Sequence, residues 1–394
     1  MRSIPQFSGI LSETLMKKKI IRITTVPSTL DVFCDGLLAA LSERYEVIAL
    51  SSPDSELEIV GKREGVRTIA VPMERHISLK RDFVALCRLV KVFRKERPTM
   101  LHSMTPKAGL LSMIAGWLAR VPVRVHTFTG LVFPTSTGLT RRILMLTDAI
   151  TCACATHVIP EGEGVKNDLL RFGITKKPIQ VLGYGNIRGV DMHHYDRRPE
   201  VMDLAEPLRK PEVVTFLYLG RFVRDKGIQE LVSAFARLYE INSRVRLLMV
   251  GRFEEALDPL SKETMYLINN HPAIFTTEWK SGDELLAYYA ASDCYVLPSY
   301  REGFPNTVLE AGAMALPCIV TDINGSREII RQGENGVIVP PRDAEALFEA
   351  MEQMLSDEKS RKTMASNARR MISERFEQSF VRQCLYDYYE EILG

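Results

Sequence analysis

The chain has 394 residues, of which 46% are hydrophobic and 25% are charged, and its formal net charge is +2. This composition is typical of a globular protein of two or three domains, and it excludes a disordered chain, a collagen-like chain and a small disulfide scaffold. The longest stretch without a charged side chain, Val125–Thr140, is shorter than the roughly 20 residues of a membrane-spanning helix, so we expect no such helix. We expect no signal peptide either, because polar residues, a proline and a glycine interrupt Ile4–Leu15.

Strands and helices alternate along the first half of the chain, after a predicted disordered extension over residues 1–15. The predicted strands are Ile20–Thr25, Val47–Leu50, Arg67–Val71, Met100–His102, Val123–Thr127, Cys154–Ile159 and Ile179–Leu182. The predicted helices are Phe33–Ser42, Asp82–Lys95 and Lys107–Ala119. This alternation predicts a first domain over residues 16–187, built on a parallel sheet with helices on both faces.

A polar segment with several prolines, residues 188–211, interrupts the pattern and is predicted to be a linker. Alternation then resumes over residues 212–373, with strands at Val213–Leu219, Val245–Val250, Ile274–Thr277, Cys294–Pro298, Cys318–Thr321 and Gly336–Val339. The predicted helices are Gly227–Tyr239, Asp283–Ala291, Pro305–Met314, Ser326–Gln332, Asp343–Ser356 and Ser360–Phe376. The predicted fold class is therefore α/β, with two doubly wound Rossmann-like domains facing each other across a cleft.

The seven cysteines are scattered along the chain and include no Cys-x-x-Cys pair. Cys152 and Cys154 lie in an apolar run, and we interpret them as buried free thiols rather than metal ligands. An odd number of unpaired cysteines indicates a reducing, cytoplasmic compartment.

Charge is divided unevenly between the two halves. Residues 1–190 carry a net charge of +11, whereas residues 191–394 carry a net charge of −9. This asymmetry indicates that the first half contacts an anionic partner, for which nucleic acid, a membrane face and a phosphorylated substrate are the candidates.

The segment 220–227, Gly-Arg-Phe-Val-Arg-Asp-Lys-Gly, follows one predicted strand of the second half and opens a helix. Gly220 allows a sharp turn, and Arg221 and Lys226 then extend from a loop at the carboxyl end of the strand. A guanidinium and an ammonium group beside a helix N-terminus suit a diphosphate. The alternative is that these are ordinary surface charges flanking a turn.

The segment 302–310 follows another predicted strand and carries Glu302 and Glu310 at its two ends. Gly303 lets the backbone approach a ligand, and Pro305 suits the first turn of a helix. The amides free to bind a ligand at this helix start are those of Phe304, Asn306 and Thr307. The two carboxylates lie too far apart for a close pair, and each could bind a separate diol of a sugar or ribose; the alternative is a solvated pair.

Together these two segments resemble the family 4 glycosyltransferases, a large retaining group of GT-B fold. The family's Glu-x7-Glu motif corresponds to Glu302 and Glu310, and its Gly-Arg and Lys-Gly pairs correspond to segment 220–227. The resemblance implies donor-binding roles for Gly220, Arg221, Lys226, Phe304, Pro305, Asn306, Thr307 and Glu310. It implies catalytic roles for Arg221, Lys226 and Glu302, with the diphosphate held by the two cations. It also implies that a last helix, residues 374–394, packs back on the first domain.

The first half resembles a sub-group of this family that acts on polyprenyl-diphosphate carriers or builds surface polysaccharides. The resemblance lies in segments 101–109 and 125–130. It implies a catalytic role for His126 at the anomeric centre, the alternative being a histidine packed in the core. Lys107, Arg141 and Arg142 are candidates to bind an acceptor phosphate, the alternative being ordinary surface charge.

The basic stretch Arg75–Arg97 carries apolar residues at helical spacing among its Lys and Arg residues. Such a helix indicates peripheral contact with a membrane face, the alternative being a solvated basic surface. Nucleic acid is not expected, because no reader motif accompanies the charge.

Two absent motifs narrow the chemistry. The chain has no Asp-x-Asp sequence, so we expect no metal, with Arg221 and Lys226 balancing the charge of the diphosphate. It has no Gly-x-Gly-x-x-Gly between a strand and a helix, which disfavours a nicotinamide enzyme, and no cofactor is expected.

The predicted reaction is retaining, metal-independent transfer of a hexose-type sugar from a nucleotide-diphosphate donor, UDP being preferred, to a lipid-linked or other anionic glycan. The alternatives are a sugar-nucleotide epimerase and a glycoside hydrolase that uses Glu302 and Glu310.

Overall fold

The protein was analysed as a computed structural model, which describes residues 17–74, 78–254 and 258–394. The extension predicted for residues 1–15 lies outside the described residues, as does Arg75 at the start of the basic stretch. Two parallel six-stranded sheets organise the chain, one in each half.

The first sheet has the strand order β3-β2-β1-β4-β5-β6. Its strands are β1 (Lys19–Ile23), β2 (Glu46–Ser51), β3 (Arg67–Ala70), β4 (Met100–Met104), β5 (Val123–Phe128) and β6 (His157–Pro160). Its helices are α1 (Pro27–Cys34), α2 (Leu37–Ser42), α3 (Ser55–Glu64), α4 (Leu79–Glu96), α5 (Pro106–Leu118), α6 (Gly138–Cys154) and α7 (Glu163–Arg171).

The second sheet has the equivalent order, β12-β11-β10-β7-β8-β9. Its strands are β7 (Val214–Leu219), β8 (Val245–Val250), β9 (Ile274–Thr277), β10 (Cys294–Leu297), β11 (Cys318–Thr321) and β12 (Gly336–Val339). The remaining helices are α8 (Pro199–Ala205), α9 (Ile228–Ile241), α10 (Lys262–Asn270), α11 (Gly282–Ala290), α12 (Asn306–Ala313), α13 (Ser326–Ile329), α14 (Ala344–Ser356), α15 (Glu358–Phe376) and α16 (Gln378–Leu393).

Both sheets therefore have the doubly wound order, and the α/β fold class with two Rossmann-like domains is confirmed. In such sheets the strand order reverses between the first and fourth strands, and ligands bind outside the carboxyl ends at that point. In the second sheet these strands are β7 and β10; segment 220–227 directly follows β7, and segment 302–310 begins five residues after the end of β10.

The structure differs from the predicted elements at several places. Ile179–Leu182 is irregular, and Cys154 ends α6, so that β6 begins only at His157. Segment 33–42 is two helices, because the chain turns at Gly36, whose φ is +65°. Segment 188–211 contains α8, which packs against α11 and so belongs to the second domain. The helices α3, α6, α7 and α10 were not predicted from the sequence.

The last helix, α16, follows α15 of the second domain along the chain but packs on the sheet of the first domain. Leu385 and Tyr389 lie in the same apolar cluster as Ile20 of β1. The connecting segments run side by side, because the Val190 amide donates to Phe376 (2.8 Å) and the Gln378 amide donates to Val190 (3.0 Å). The chain thus crosses between the two domains twice at one place.

Candidate active site

Lys226 and Glu302 form an ion pair where β7 and β10 end. The side chains are each 17% exposed, and Ser299 Oγ also donates a hydrogen bond to Glu302 Oε1 (2.8 Å). The structure therefore brings together the predicted diphosphate cation and the predicted sugar-binding carboxylate. In this state the ammonium group already has one carboxylate partner, and a phosphate oxygen can bind through another of its three N–H donors or take the place of Glu302.

Arg221 lies on the same loop and is more exposed. Its Nη1 donates to Glu254 Oε2 (2.9 Å), and its carbonyl oxygen accepts a hydrogen bond from the buried Tyr218 hydroxyl (2.8 Å). Tyr218 therefore fixes the backbone of the loop, whereas the guanidinium group is held by an exposed ion pair. Such pairs are worth about 0–1 kcal/mol, so the guanidinium group can reorient towards a ligand at small cost.

Glu310 is nearly buried and its carboxylate is held by other side chains. Arg188 Nη1 donates to Oε1 (2.7 Å), the Tyr289 hydroxyl donates to Oε2 (3.0 Å), and Arg188 Nη2 donates to the Tyr195 hydroxyl (3.3 Å). Glu310, which was predicted to accept hydrogen bonds from a diol, thus already has protein partners for both carboxylate oxygens. Each carboxylate oxygen can accept two hydrogen bonds and here accepts one from a side chain, so capacity for a ribose hydroxyl is left. That role stays a prediction.

The start of α12 joins the two domains. A Cβ on Gly303 would lie 2.1 Å from the carbonyl oxygen of Thr129, which follows β5, so only glycine allows this approach. Asn306 Oδ1 accepts a hydrogen bond from Asn186 Nδ2 (2.9 Å), and the Phe304 ring packs on Phe376 with centroids 5.5 Å apart. The helix begins at Asn306, with Pro305 as its N-cap rather than its first residue.

The amides of Asn306 and Thr307 therefore lie in the first turn of α12, where a helix leaves its N–H groups without intrahelical acceptors. Gly220, at the other loop, has a φ of +152°, and a Cβ there would lie 2.8 Å from the Tyr218 hydroxyl. In both loops the protein's own packing therefore requires glycine, at Gly303 against Thr129 and at Gly220 against Tyr218. Their roles in donor binding stay predictions.

His126 is buried in β5. Its Nδ1 lies 2.8 Å from Ser103 Oγ, and its ring packs against Phe128 with centroids 4.5 Å apart. Burial lowers the pKa of His126 to about 3, so the imidazole is neutral at physiological pH. This geometry matches the alternative of a packed core histidine, and the catalytic role stays a prediction.

The three candidates for an acceptor phosphate lie on the helices beside β4 and β5. Lys107 Nζ, in the first turn of α5, contacts both carboxylate oxygens of Asp82 at 2.7 Å. The Arg141 guanidinium group lies over the Phe172 ring, 5.2 Å from its centroid, and Arg142 is exposed. Lys107 therefore needs to exchange a carboxylate for a phosphate, whereas Arg142 is accessible.

Glu161 was not predicted and is the most unusual carboxyl group near the cleft. It directly follows β6 and is 2% exposed, and its Oε1 has no hydrogen-bond partner among the described residues. Burial, and then the carboxylates of Glu328 and Glu302, raise the pKa of Glu161 well above its usual range. The only sequence signal was its position, an acidic residue directly after a buried strand.

Glu328 connects the domains beside Glu161. It accepts hydrogen bonds from the amides of Glu163 (2.6 Å) and Gly164 (3.0 Å), at the start of α7 in the first domain. A carboxylate at a helix N-terminus is favoured by the helix dipole. This contact therefore helps to hold the first and second domains against each other.

Within residues 17–74, 78–254 and 258–394, no group of three or more His, Cys, Asp or Glu side chains is placed to hold a metal ion. The predicted metal independence stays a prediction.

Two family models together match most of the chain. Residues 30–185 match the description "Glycosyl transferase 4-like domain", and residues 203–371 match "Glycosyl transferases group 1". The boundary between the two models lies close to the segment where the chain first crosses between the domains.

Curated relatives match over nearly their full length. The capsular polysaccharide biosynthesis glycosyltransferase CapM of Staphylococcus aureus is 28% identical, covering 96% of this chain and 98% of the relative. The UDP-Gal:alpha-D-GlcNAc-diphosphoundecaprenol alpha-1,3-galactosyltransferase of Escherichia coli is 27% identical, covering 93% and 95%.

Among solved structures, HepE of Anabaena in complex with UDP and glucose has a TM-score of 0.80 at 18% identity. The match covers 95% of this chain and all of that one. At this identity the likeness shows the fold, which is that of GT-B enzymes. From the two family models and the full-length relatives, the chain belongs to the glycosyltransferases, with a glycosyl transferase 4-like first half and a group 1 second half.

Proposed function

We propose that the protein is a retaining, metal-independent hexosyltransferase that moves a sugar from a UDP-sugar to a polyprenyl-diphosphate-linked glycan during surface polysaccharide synthesis. The donor and acceptor classes are supported by the names of the relatives, one of which uses UDP-galactose and a diphosphoundecaprenol-linked sugar. The observation that carries the proposal is the direct contact of Lys226 with Glu302 where β7 and β10 end.

Lys226 and Arg221 bind the departing diphosphate, which gains negative charge in the transition state. Fixed donors directed at developing charge supply a large part of enzymatic rate enhancement. When the diphosphate takes Lys226 from Glu302, the Glu302 carboxylate becomes an acceptor for sugar hydroxyls. Donor binding and organisation of the sugar site are then one event, with Ser299 still holding the carboxylate in place.

The retaining route is assigned to front-face attack by the acceptor hydroxyl, which passes its proton to the departing diphosphate. Two carboxyl groups about 5–5.5 Å apart are the arrangement of a retaining hydrolase. Here Glu302 pairs with Lys226 and Glu310 pairs with Arg188, so the two carboxylates are bound to different cations. This pairing disfavours the hydrolase alternative, and trapping a covalent glycosyl-enzyme would contradict the front-face route.

A membrane face is proposed as the place of action, on the cytoplasmic side. Exposed apolar side chains lie beside basic ones on two helices of the first domain, Leu79 and Phe83 on α4 and Leu139, Ile143 and Leu146 on α6. Such a surface suits the headgroup region of an anionic bilayer. Among the described helices, none has the length and apolar character to cross a membrane.

The donor assignment is tested by thermal unfolding in EDTA with a panel of nucleotide sugars. A UDP-sugar at 100 times its dissociation constant should stabilise the protein by about 2.7 kcal/mol. GDP- and ADP-sugars at equal concentration serve as controls. Stabilisation that needs a divalent ion would contradict metal independence, and conversion of the donor without any acceptor would favour the epimerase alternative.

A further inference from the structure

A second cationic cavity lies beside the Lys226–Glu302 pair, between the two domains. It has a volume of about 440 Å³ and is lined on the second domain by Arg224, Arg301, Arg342 and Tyr300, and on the first domain by Thr135. We call it the arginine pocket. Its volume is in the range of about 300–1,000 Å³ that is typical of small-molecule sites.

The three guanidinium groups reach this pocket from three different loops. Arg301 Nη2 pairs with Asp225 Oδ2 (2.9 Å), and Arg224 Nη2 pairs with Asp258 Oδ1 (3.1 Å). Three arginines thus meet two carboxylates in the lining, which leaves an excess of positive charge. The two ion pairs also orient Arg301 and Arg224, which lowers the entropy lost when a ligand binds.

Arg342 is held in an uncommon backbone conformation. Its φ is +63°, in the left-handed region that side chains other than glycine rarely adopt. Its guanidinium group lies 4.6 Å from the centroid of the Tyr300 ring, and the Tyr300 hydroxyl is anchored on Glu230 (2.6 Å). Backbone strain of this kind concentrates at binding sites, where it places a side chain for function.

The arginine pocket is separate from the proposed diphosphate site although it is next to it along the chain. Lys226 contacts Glu302, whereas the neighbouring residues Asp225 and Arg301 contact each other and line the pocket. The same two loops thus form two separate ion pairs, of which only Asp225–Arg301 lines the pocket. A donor held by Lys226 therefore leaves the arginine pocket open to a second anion.

We propose that the arginine pocket binds the phosphate or diphosphate group of the acceptor. The inference rests on the proposed function, in which the acceptor carries such a group, and it assigns that group to the arginine pocket rather than to Lys107, Arg141 and Arg142. Guanidinium groups bind phosphate oxygens through paired, charge-assisted hydrogen bonds, which Lys cannot reproduce in geometry. Because Thr135 lines the pocket from the first domain, an anion bound here would contact both domains.

The test is isothermal titration of the full chain with inorganic pyrophosphate in the presence of saturating UDP, which fills the donor site. The wild-type protein should bind one further equivalent. Arg342→Gln should weaken that binding at least tenfold while changing the affinity for UDP less than twofold. Arg342→Lys should fail to restore it. Arg237→Gln, which removes an exposed arginine paired with Glu345 elsewhere, is the matched control and should bind as the wild type does.

A titration with farnesyl diphosphate distinguishes recognition of a lipid-linked diphosphate from recognition of the diphosphate anion alone. Tighter, Arg342-dependent binding than that of pyrophosphate supports a lipid-linked diphosphate, and equal binding supports recognition of the anion alone. Absence of a second equivalent, or unchanged binding by Arg342→Gln, overturns the proposal. If UDP itself does not bind, the donor assignment fails, and the Arg342→Gln comparison without UDP still decides the arginine pocket.

Discussion

The two halves of the molecule share one strand order but use the boundary between their first and fourth strands differently. In the second half, β7 and β10 end in loops whose Lys226 and Glu302 contact each other near the cleft. In the first half, Arg22 of β1 and His102 of β4 are buried, and Arg22 donates a hydrogen bond to Tyr389 of α16 (2.7 Å). The side chains at this boundary therefore differ: in the second half two loop residues pair with each other, and in the first half two strand residues contact the last helix.

The largest expected effect comes from removing the cation of the second half. Lys226→Ala should lower kcat/KM by on the order of 10²–10³, or about 3–4 kcal/mol, because the departing diphosphate loses a fixed donor. Steady-state kinetics measures the loss, and thermal unfolding should show that the fold is kept. A loss in kcat/KM below threefold would show that Lys226 does not bind the departing diphosphate.

The corresponding change in the first half should affect stability instead. Tyr389→Phe removes the hydroxyl that accepts from Arg22 and leaves a buried charged group with one partner fewer. A buried group that loses its partner costs about 1–3 kcal/mol. Denaturant unfolding should show that loss with kcat unchanged, and a large fall in kcat would show that this half also serves the chemistry directly.

Glu161, whose Oε1 has no hydrogen-bond partner among the described residues, should make stability depend on pH, in contrast to Glu302, which is paired with Lys226. The pKa of Glu161 is raised in the folded state, so between the unfolded pKa and the folded pKa the folded protein binds more protons, and stability falls as pH rises. Glu161→Gln mimics the protonated form and should be more stable than the wild type at neutral pH. The difference in the free energy of unfolding between the variant and the wild type grows by up to about 1.4 kcal/mol per pH unit between the unfolded and the folded pKa of Glu161, and it should vanish near pH 4.

The smallest expected effect concerns the exposed partner of Arg221. Glu254→Gln removes a carboxylate that competes with phosphate for the guanidinium group. Because exposed ion pairs contribute about 0–1 kcal/mol, affinity for UDP should rise by no more than about fivefold. Titration calorimetry measures it, and weaker binding would mean that Glu254 itself contacts the donor.

Sequence periodicity predicted the alternation of both halves and placed both motif loops after buried strands. It could not predict α6, whose Leu139 and Leu146 are exposed and so break the pattern of one buried face. It also could not predict that Arg188 holds Glu310, because the two residues are 122 positions apart and meet only in the folded chain. Local pattern thus locates the loops, whereas the charge state of the site depends on distant partners.

A crystal structure of the protein with UDP tests the central claim most directly. We expect the diphosphate oxygens to lie within hydrogen-bonding distance, about 3 Å, of Lys226 Nζ and the Arg221 guanidinium group, with Lys226 released from Glu302. A diphosphate bound away from these two side chains, or held through a metal ion while Lys226 still contacts Glu302, would contradict it.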